Sequence, residues 1–251
     1  MRIKSVLLSF SVLAALAGLN ANLAHANLIV NGNFEQTTNG TNKRLAASPT
    51  TALDRTTLTG WTSSNGNDGG YNFVLSGAGA TSASSVLRLR GDNNGYAASP
   101  NGGNIFASDP MWYPGTLSQT VSGLTVGSSY LLTFDFALAQ QANYTGPNSD
   151  FWQVSFGKDT QQSATLSIGD GGFSGWKTAS MLFTAGSVSQ VLSFLAVASS
   201  PGAPPFMLLD SVAMNPSSKV PEPSTLSLLL GGVGMAGLVA YRRRSRKHKQ
   251  A

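Results

Sequence analysis

No cysteine occurs in the 251 residues, which removes disulfides, thiolate nucleophiles and cysteine metal ligands together. Histidine is almost as scarce: the two present are His25 and His248, near the two ends, and residues 27–219 hold none. That inventory excludes a Ser-His-Asp triad, a Cys-His pair and a histidine zinc site. Charge is thin, 11% of residues, and between 27 and 219 no lysine or arginine run exceeds two residues, so a nucleic-acid surface lacks its electrostatic footprint. Glu35 is the one glutamate of that stretch, and its aspartates sit mostly in Gly/Asn turns. Paired carboxylates for glycoside hydrolysis stay open by residue type, but turn-forming and surface roles account for these acids more simply. The expectation is a protein that is not an enzyme and requires no cofactor.

What is present begins at the N-terminus, where "MRIK" is followed by the apolar run Val6 to Ala17 and by Ala24-His25-Ala26. This is the pattern of a secretory signal peptide over residues 1–26 with an A-x-A cleavage site. The run would extend about 18 Å as a helix, well short of a bilayer core of about 30 Å. The formal +5 of the chain belongs to its two ends: residues 27–219 carry eight basic and ten acidic residues, a net charge of −2. Asn27 to Lys219 is long enough for one sizeable core, so one exported domain is expected.

Within that domain apolar residues alternate with polar ones in short runs, the period of strands. In "SSYLLTFDFALAQ", Tyr130, Leu132, Phe134, Phe136 and Leu138 share one face, and a fairly apolar second face marks a central strand. Nine further runs read as strands: 27–30, 71–76, 85–90, 116–121, 151–157, 164–169, 175–185, 188–199 and 206–214. In "SVLRLR" the leucines Leu87 and Leu89 point inward and Arg88 and Arg90 outward. The fold expected is all-β, a two-sheet antiparallel jelly-roll-like sandwich, with long Gly/Asn-rich loops that would carry the function.

Several short matches reduce to turns. Arg90-Gly91-Asp92 sits where a strand runs into a turn, and "GDGGFSG" (169–175) has neither the lysine nor the helix of a phosphate loop. Asp210, with the parity of Leu208 and Val212, is placed toward the core, and a buried carboxylate needs a partner. Calcium is one such partner, and backbone N–H groups or an arginine are the other; Glu35, after the first strand, is the second acid to be noted. Trp61 and Trp176 open strands and read as core. Trp112, Tyr113, Tyr71, Tyr96 and Tyr144 lie in or beside loops and are the candidate ligand-binding aromatics, since a ring face stacks on the C–H face of a sugar.

Taken together, "NLIVNGNFEQ", "GW", "LSQTVSGLTVGSSYLLTFDFA" and "FMLLDSVAM" resemble the carbohydrate-binding-module-like, galactose-binding-like β-sandwich domains of secreted bacterial proteins. The resemblance implies a structural calcium held by an early-strand acid and a last-strand aspartate, here Glu35 and Asp210. It supplies no clean match for the sugar-contacting aromatics. The C-terminal "VPEPS", apolar run and "YRRRSRKHK" resemble the PEP-CTERM sorting signal of exopolysaccharide-producing Gram-negative bacteria. That resemblance makes 220–251 a sorting signal with Pro221, Glu222 and Pro223 as its motif and implies an exosortase-type processing enzyme besides signal peptidase. A transmembrane helix over about 225–241 would hold the precursor transiently in the membrane. Arg242, Arg243, Arg244 and Arg246 would keep the tail, 242–251, in the cytoplasm. The alternative is a plain single-pass anchor. The functional expectation is an exported protein of the cell surface or exopolysaccharide matrix that binds or organises polysaccharide. A structural matrix or adhesion protein with protein partners is the alternative, and a polysaccharide-acting enzyme the third class.

Overall fold

In the computed structural model, which describes residues 27–199 and 204–217, the alternating runs become thirteen strands and no helix. In chain order these are β1 (Lys43–Leu45), β2 (Arg55–Thr56), β3 (Thr62–Ser64), β4 (Asn72–Ser76), β5 (Asn104–Ser108), β6 (Thr116–Ser122) and β7 (Ser129–Gln140). They continue as β8 (Asn148–Phe156), β9 (Asp159–Gln162), β10 (Leu166–Ile168), β11 (Lys177–Thr184), β12 (Ser189–Ala198) and β13 (Pro205–Pro216). The signal peptide, Pro221-Glu222-Pro223, the helix expected over 225–241 and the tail bearing Arg242 to Arg246 lie outside the described residues.

Two sheets form a sandwich. One has the order β11-β7-β13-β5-β4-β1-β2, antiparallel except for the short β1–β2 pair; the other runs β10-β8-β12-β6-β3, with β9 also on β8. Inner-face residues of both sheets interdigitate. Leu132, Phe134, Phe136, Phe106 and Val74 come from the first sheet and Leu117, Trp152, Val154, Phe156, Leu192 and Phe194 from the second, all buried in one core. Phe134 and Trp152 both meet Phe194 edge-on, with ring centroids 5.2 and 6.1 Å apart, a geometry that suits the ring quadrupoles.

The outer face of the seven-stranded sheet is not left to water. Phe73, Leu75, Ile105, Ala107, Ala137, Ala139, Phe206 and Leu208 form a second cluster, roofed by Ala80, Leu87 and Leu89 and flanked by Tyr71, Tyr96, Phe173 and Trp176. This explains the doubly apolar character of β7, which is hydrogen-bonded to β11 on one side and β13 on the other.

The roof also corrects one strand. Residues 85–90 keep the alternation read from the sequence, Leu87 and Leu89 buried and Arg88 exposed, but they cross the outer face as a covering segment. Leu89 makes an isolated bridge to Gln141, and Arg90 N–H donates to Gln140 O. The run 27–30 is likewise no strand. Leu28 N–H donates to Met214 O, and the Gln119 amide accepts from Val30 N–H and donates to Val30 O, so one side chain takes the place of a neighbouring strand. Gly32 closes this turn against Val212, where a Cβ would lie 1.9 Å from the carbonyl oxygen. β5, hidden behind the Gly/Asn-rich stretch 91–104, is the principal strand that the sequence pattern did not reveal.

Candidate functional site

β5 ends at Ser108, and the next residue turns the chain out of the sheet. Asp109 Oδ1 accepts from Met111 N–H at 2.7 Å and from Trp112 N–H at 2.9 Å, an Asx turn that presents the following two aromatics. Tyr71, just before β4, pins this loop: its N–H donates to Tyr113 O at 2.8 Å, and its carbonyl accepts from Asp109 N–H at 3.3 Å. The two segments approach so closely that a Cβ on Gly70, where φ is +74°, would lie 2.6 Å from Gly115 Cα. Trp112 and Tyr113 are left 60% and 57% exposed, with their rings edge-on at 5.2 Å.

Tyr71, Trp112 and Tyr144 wall a cleft of about 330 Å³ whose other lining residues are Asp109, Gln141 and Pro204. The size and the mix of ring faces with a few polar groups are those of a small-ligand site. Tyr71 is oriented from behind. Phe73 meets it edge-on at 4.8 Å, and the Arg44 guanidinium carbon stands 5.4 Å from its centroid. Arg44 is itself held by Gly70 O and Asp68. Burial, and then the Asp109 charge, raise the Tyr71 pKa, and the phenol is a hydrogen-bond donor. A larger hollow of about 480 Å³, lined by Gly157, Lys158, Asp159, Gly186 and Ser187, lies at hairpin tips and has only the fully buried Phe156 as an aromatic.

Of the aromatics singled out in the sequence, the structure brings Tyr71, Trp112 and Tyr144 together, with Tyr113 beside Trp112. Tyr96 lies elsewhere. Its hydroxyl donates to Gly77 O at 2.7 Å, its ring packs on Phe173, and burial pushes its pKa up to about 12. Trp61 is core, its indole N–H on Asn31 O, and Trp176 flanks the outer cluster with its N–H on Ala97 O.

The two acids named for calcium attach to opposite ends of one loop. Glu35 Oε1 accepts from Asn104 N–H at 2.5 Å. Asp210 accepts from the Ser99 hydroxyl and, at 2.6 Å, from Ser211 N–H. Of the partners other than calcium expected for Asp210, a backbone N–H is present, and a serine hydroxyl rather than an arginine accompanies it. Nor does it face the inter-sheet core: it shares the outer face with Phe206 and Leu208, and a bulge at Ser211, where φ is +55°, turns Val212 to the inner face. Burial raises its pKa to about 6 against the lowering effect of those hydrogen bonds. Among the described residues no group of three or more His, Cys, Asp or Glu converges.

Asp109, Gln141, Pro204 and a second buried aspartate, Asp150, were not picked out from the sequence. Asp150 could have been, because it alternates with Trp152, Val154 and Phe156 on the inner face of β8. It is fully buried, and its pKa is raised to about 7 by burial and by the Asp109 charge. Asp109 and Asp150 are therefore neighbouring acids beside a cleft, yet Asp150 offers no surface from which to reach a glycosidic oxygen.

Residues 219–244 match the PEP-CTERM protein-sorting motif. No curated protein matches the chain. Among solved structures, the chain is similar to TmCBM61 bound to β-1,4-galactotriose (15% identity over 76% of this chain and 99% of that one, TM-score 0.42). It is similar as well to a CBM4 structure (14%, 75% and 99%, TM-score 0.33) and to the CBM22-2 xylan-binding domain of Paenibacillus barcinonensis Xyn10C (14%, 63% and 92%, TM-score 0.35). The chain is thus an all-β sandwich carrying a PEP-CTERM protein-sorting motif at its C-terminal end.

Proposed function

We propose that this is an exported, non-catalytic protein that binds polysaccharide in the Tyr71–Trp112–Tyr144 cleft, and that its sorting motif routes it to the cell surface or exopolysaccharide matrix. The observation that carries the reading is the convergence of three aromatic rings with one carboxylate and one amide. Ring faces can cover the apolar C–H face of a pyranose while the Gln141 amide and the Tyr71 hydroxyl pair with its hydroxyls. In this reading residues 1–26 are removed by signal peptidase, 27–219 form the binding domain, and 220–251 are handled by an exosortase-type enzyme after transient membrane insertion. The buried position of Asp150 speaks against hydrolysis by the Asp109–Asp150 pair.

The test is a glycan array probed with the purified protein and with Trp112→Ala. At least one polysaccharide is expected to bind, and the variant should lose roughly 1.5–3 kcal/mol of affinity, the range for burial of a large apolar side chain. Its melting midpoint should hold within about 0.5 kcal/mol of stability, because the ring is exposed. Absence of any glycan signal would sink the sugar reading and leave the exposed Trp112 and Tyr113 to a protein partner.

A further inference from the structure

One end of the inter-sheet core is polar, and its acceptors are unmet. Asn72 Oδ1, Ser108 Oγ and both carboxylate oxygens of Asp150 are buried and find no hydrogen-bond partner among the described residues. They belong to one place. Asn72 and Ser108 are cross-strand Cα partners of β4 and β5. Both are on the inner face, since Val74 and Phe106, two residues along, lie in the inter-sheet core. Asp150 is on the inner face of the opposing sheet, two residues from Trp152. Phe106 and Trp152, one inner-face step from Ser108 and Asp150, meet across the sandwich with ring centroids 5.9 Å apart. Asp109, next to Ser108, is near enough for its charge to act on Asp150.

The donors and acceptors do not balance. The Asn72 amide nitrogen is committed to Ser63 Oγ and Gly115 O, both at 2.9 Å, which fixes its carbonyl oxygen as the free atom. That oxygen and the two of Asp150 can only accept while the acid is ionised, and Ser108 has a single proton to give. Among the described residues no ion pair relieves the two acids. The ion pairs among the described residues are Arg44–Asp68, Arg55–Asp54 and Arg90–Asp170, none of which includes Asp109 or Asp150. An uncompensated carboxylate in such a position costs several kcal/mol. An excess of hard oxygen acceptors around two negative charges is what a divalent cation of the calcium class requires.

We propose that Asp150, Asn72 and Ser108, with the Asp109 charge beside them, form a buried site for a calcium-class divalent cation between the two sheets. It is separate from Glu35 and Asp210, whose carboxylates are engaged by the 99–104 loop and by Ser211. Trp152, on the same face of β8, places an indole close by as an energy donor for a luminescent lanthanide.

The experiment uses the full-length protein, stripped with chelator and titrated with Tb³⁺ and with Ca²⁺. Tryptophan-sensitised terbium luminescence should appear and be displaced by Ca²⁺, and saturating Ca²⁺ should raise the melting midpoint. Asp150→Asn should abolish both responses, whereas Asp210→Asn should keep both. Should Asp150→Asn fail to fold, Ser108→Ala is the second variant, expected to weaken Ca²⁺ binding roughly tenfold or more, as loss of even an outer-shell partner does. A response absent from the natural chain would mean that ordered water or a proton satisfies Asp150, and it would overturn the site. So would a response kept in Asp150→Asn, one lost in Asp210→Asn, or unchanged affinity in Ser108→Ala.

Discussion

Asp150 and Asp210 are two strand aspartates buried to the same degree, at 0% and 1% exposure, and burial raises the pKa of both. Their surroundings differ. Asp210, on the outer face of β13, is met by a serine hydroxyl and a backbone N–H made available by the bulge at Ser211. Asp150, on the inner face of β8, is met by no donor among the described residues and has another acid for a neighbour. Burial alone therefore does not decide what a carboxylate does in this sandwich; the supply of donors does. A partnered acid ties loop to strand, as Asp210 ties Ser99 to β13, while an unpartnered one is left for something the chain does not itself provide.

The largest effect that could break this contrast is in the pH dependence of stability without added cation. An aspartate whose folded pKa lies above its unfolded value holds its proton longer in the native state, so stability falls as pH rises between the two values. For Asp150, raised from 3.8 to about 7, the loss is on the order of 4 kcal/mol, complete near pH 7. For Asp210, raised from 3.8 to about 6, it is on the order of 3 kcal/mol and complete near pH 6. Urea melts of chelated protein from pH 4 to 8 should show stability declining across this range, and Asp150→Asn should remove the part between pH 6 and 7. If that part persists in the variant, Asp150 is not the buried acid the contrast makes it. Next in size is Asp210→Ala, which leaves the Ser99 hydroxyl and the Ser211 N–H without their acceptor. It should cost roughly 1.5–3 kcal/mol relative to Asp210→Asn, which retains an oxygen. Equal melting midpoints for the two variants would make the donors around Asp210 incidental.

How far the sequence discloses these sites follows from the range of each signal. Alternation is local, so the sandwich, the inner face of β7 and the burial of Leu87 and Leu89 could all be read from it. The partner of a face is not local. Leu87 and Leu89 carry the alternation of a strand because they cover a sheet, and nothing in "SVLRLR" separates that role from membership of one. A bulge is invisible to parity: Asp210 and Val212 share a phase in sequence, and the positive φ of Ser211 separates them in space. Exposed aromatics could be named singly, and Tyr71, Trp112 and Tyr144 did converge. Tyr96 left that group because its hydroxyl finds Gly77 O across a loop, a contact that spacing cannot signal. Asp150 was legible, since an acid in the phase of Trp152, Val154 and Phe156 announces a buried charge.

The smallest effect sharpens the contrast most, because it compares two serines by the same substitution. The Ser99 hydroxyl donates to Asp210, whereas Ser108 Oγ has no partner among the described residues. Removing a hydroxyl that serves a buried carboxylate loses a charge-assisted hydrogen bond, so Ser99→Ala should destabilise by about 1–2 kcal/mol. Removing one that serves nothing relieves an unmet polar group, so in chelated protein Ser108→Ala should be neutral or stabilising by up to about 1 kcal/mol. With Ca²⁺ present the sign at Ser108 should reverse, since the methyl then takes the place of an oxygen that a cation uses. Two denaturation curves for each variant, with chelator and with Ca²⁺, decide it. If Ser108→Ala keeps the same sign in both, the polar end of the core is packing and not a site.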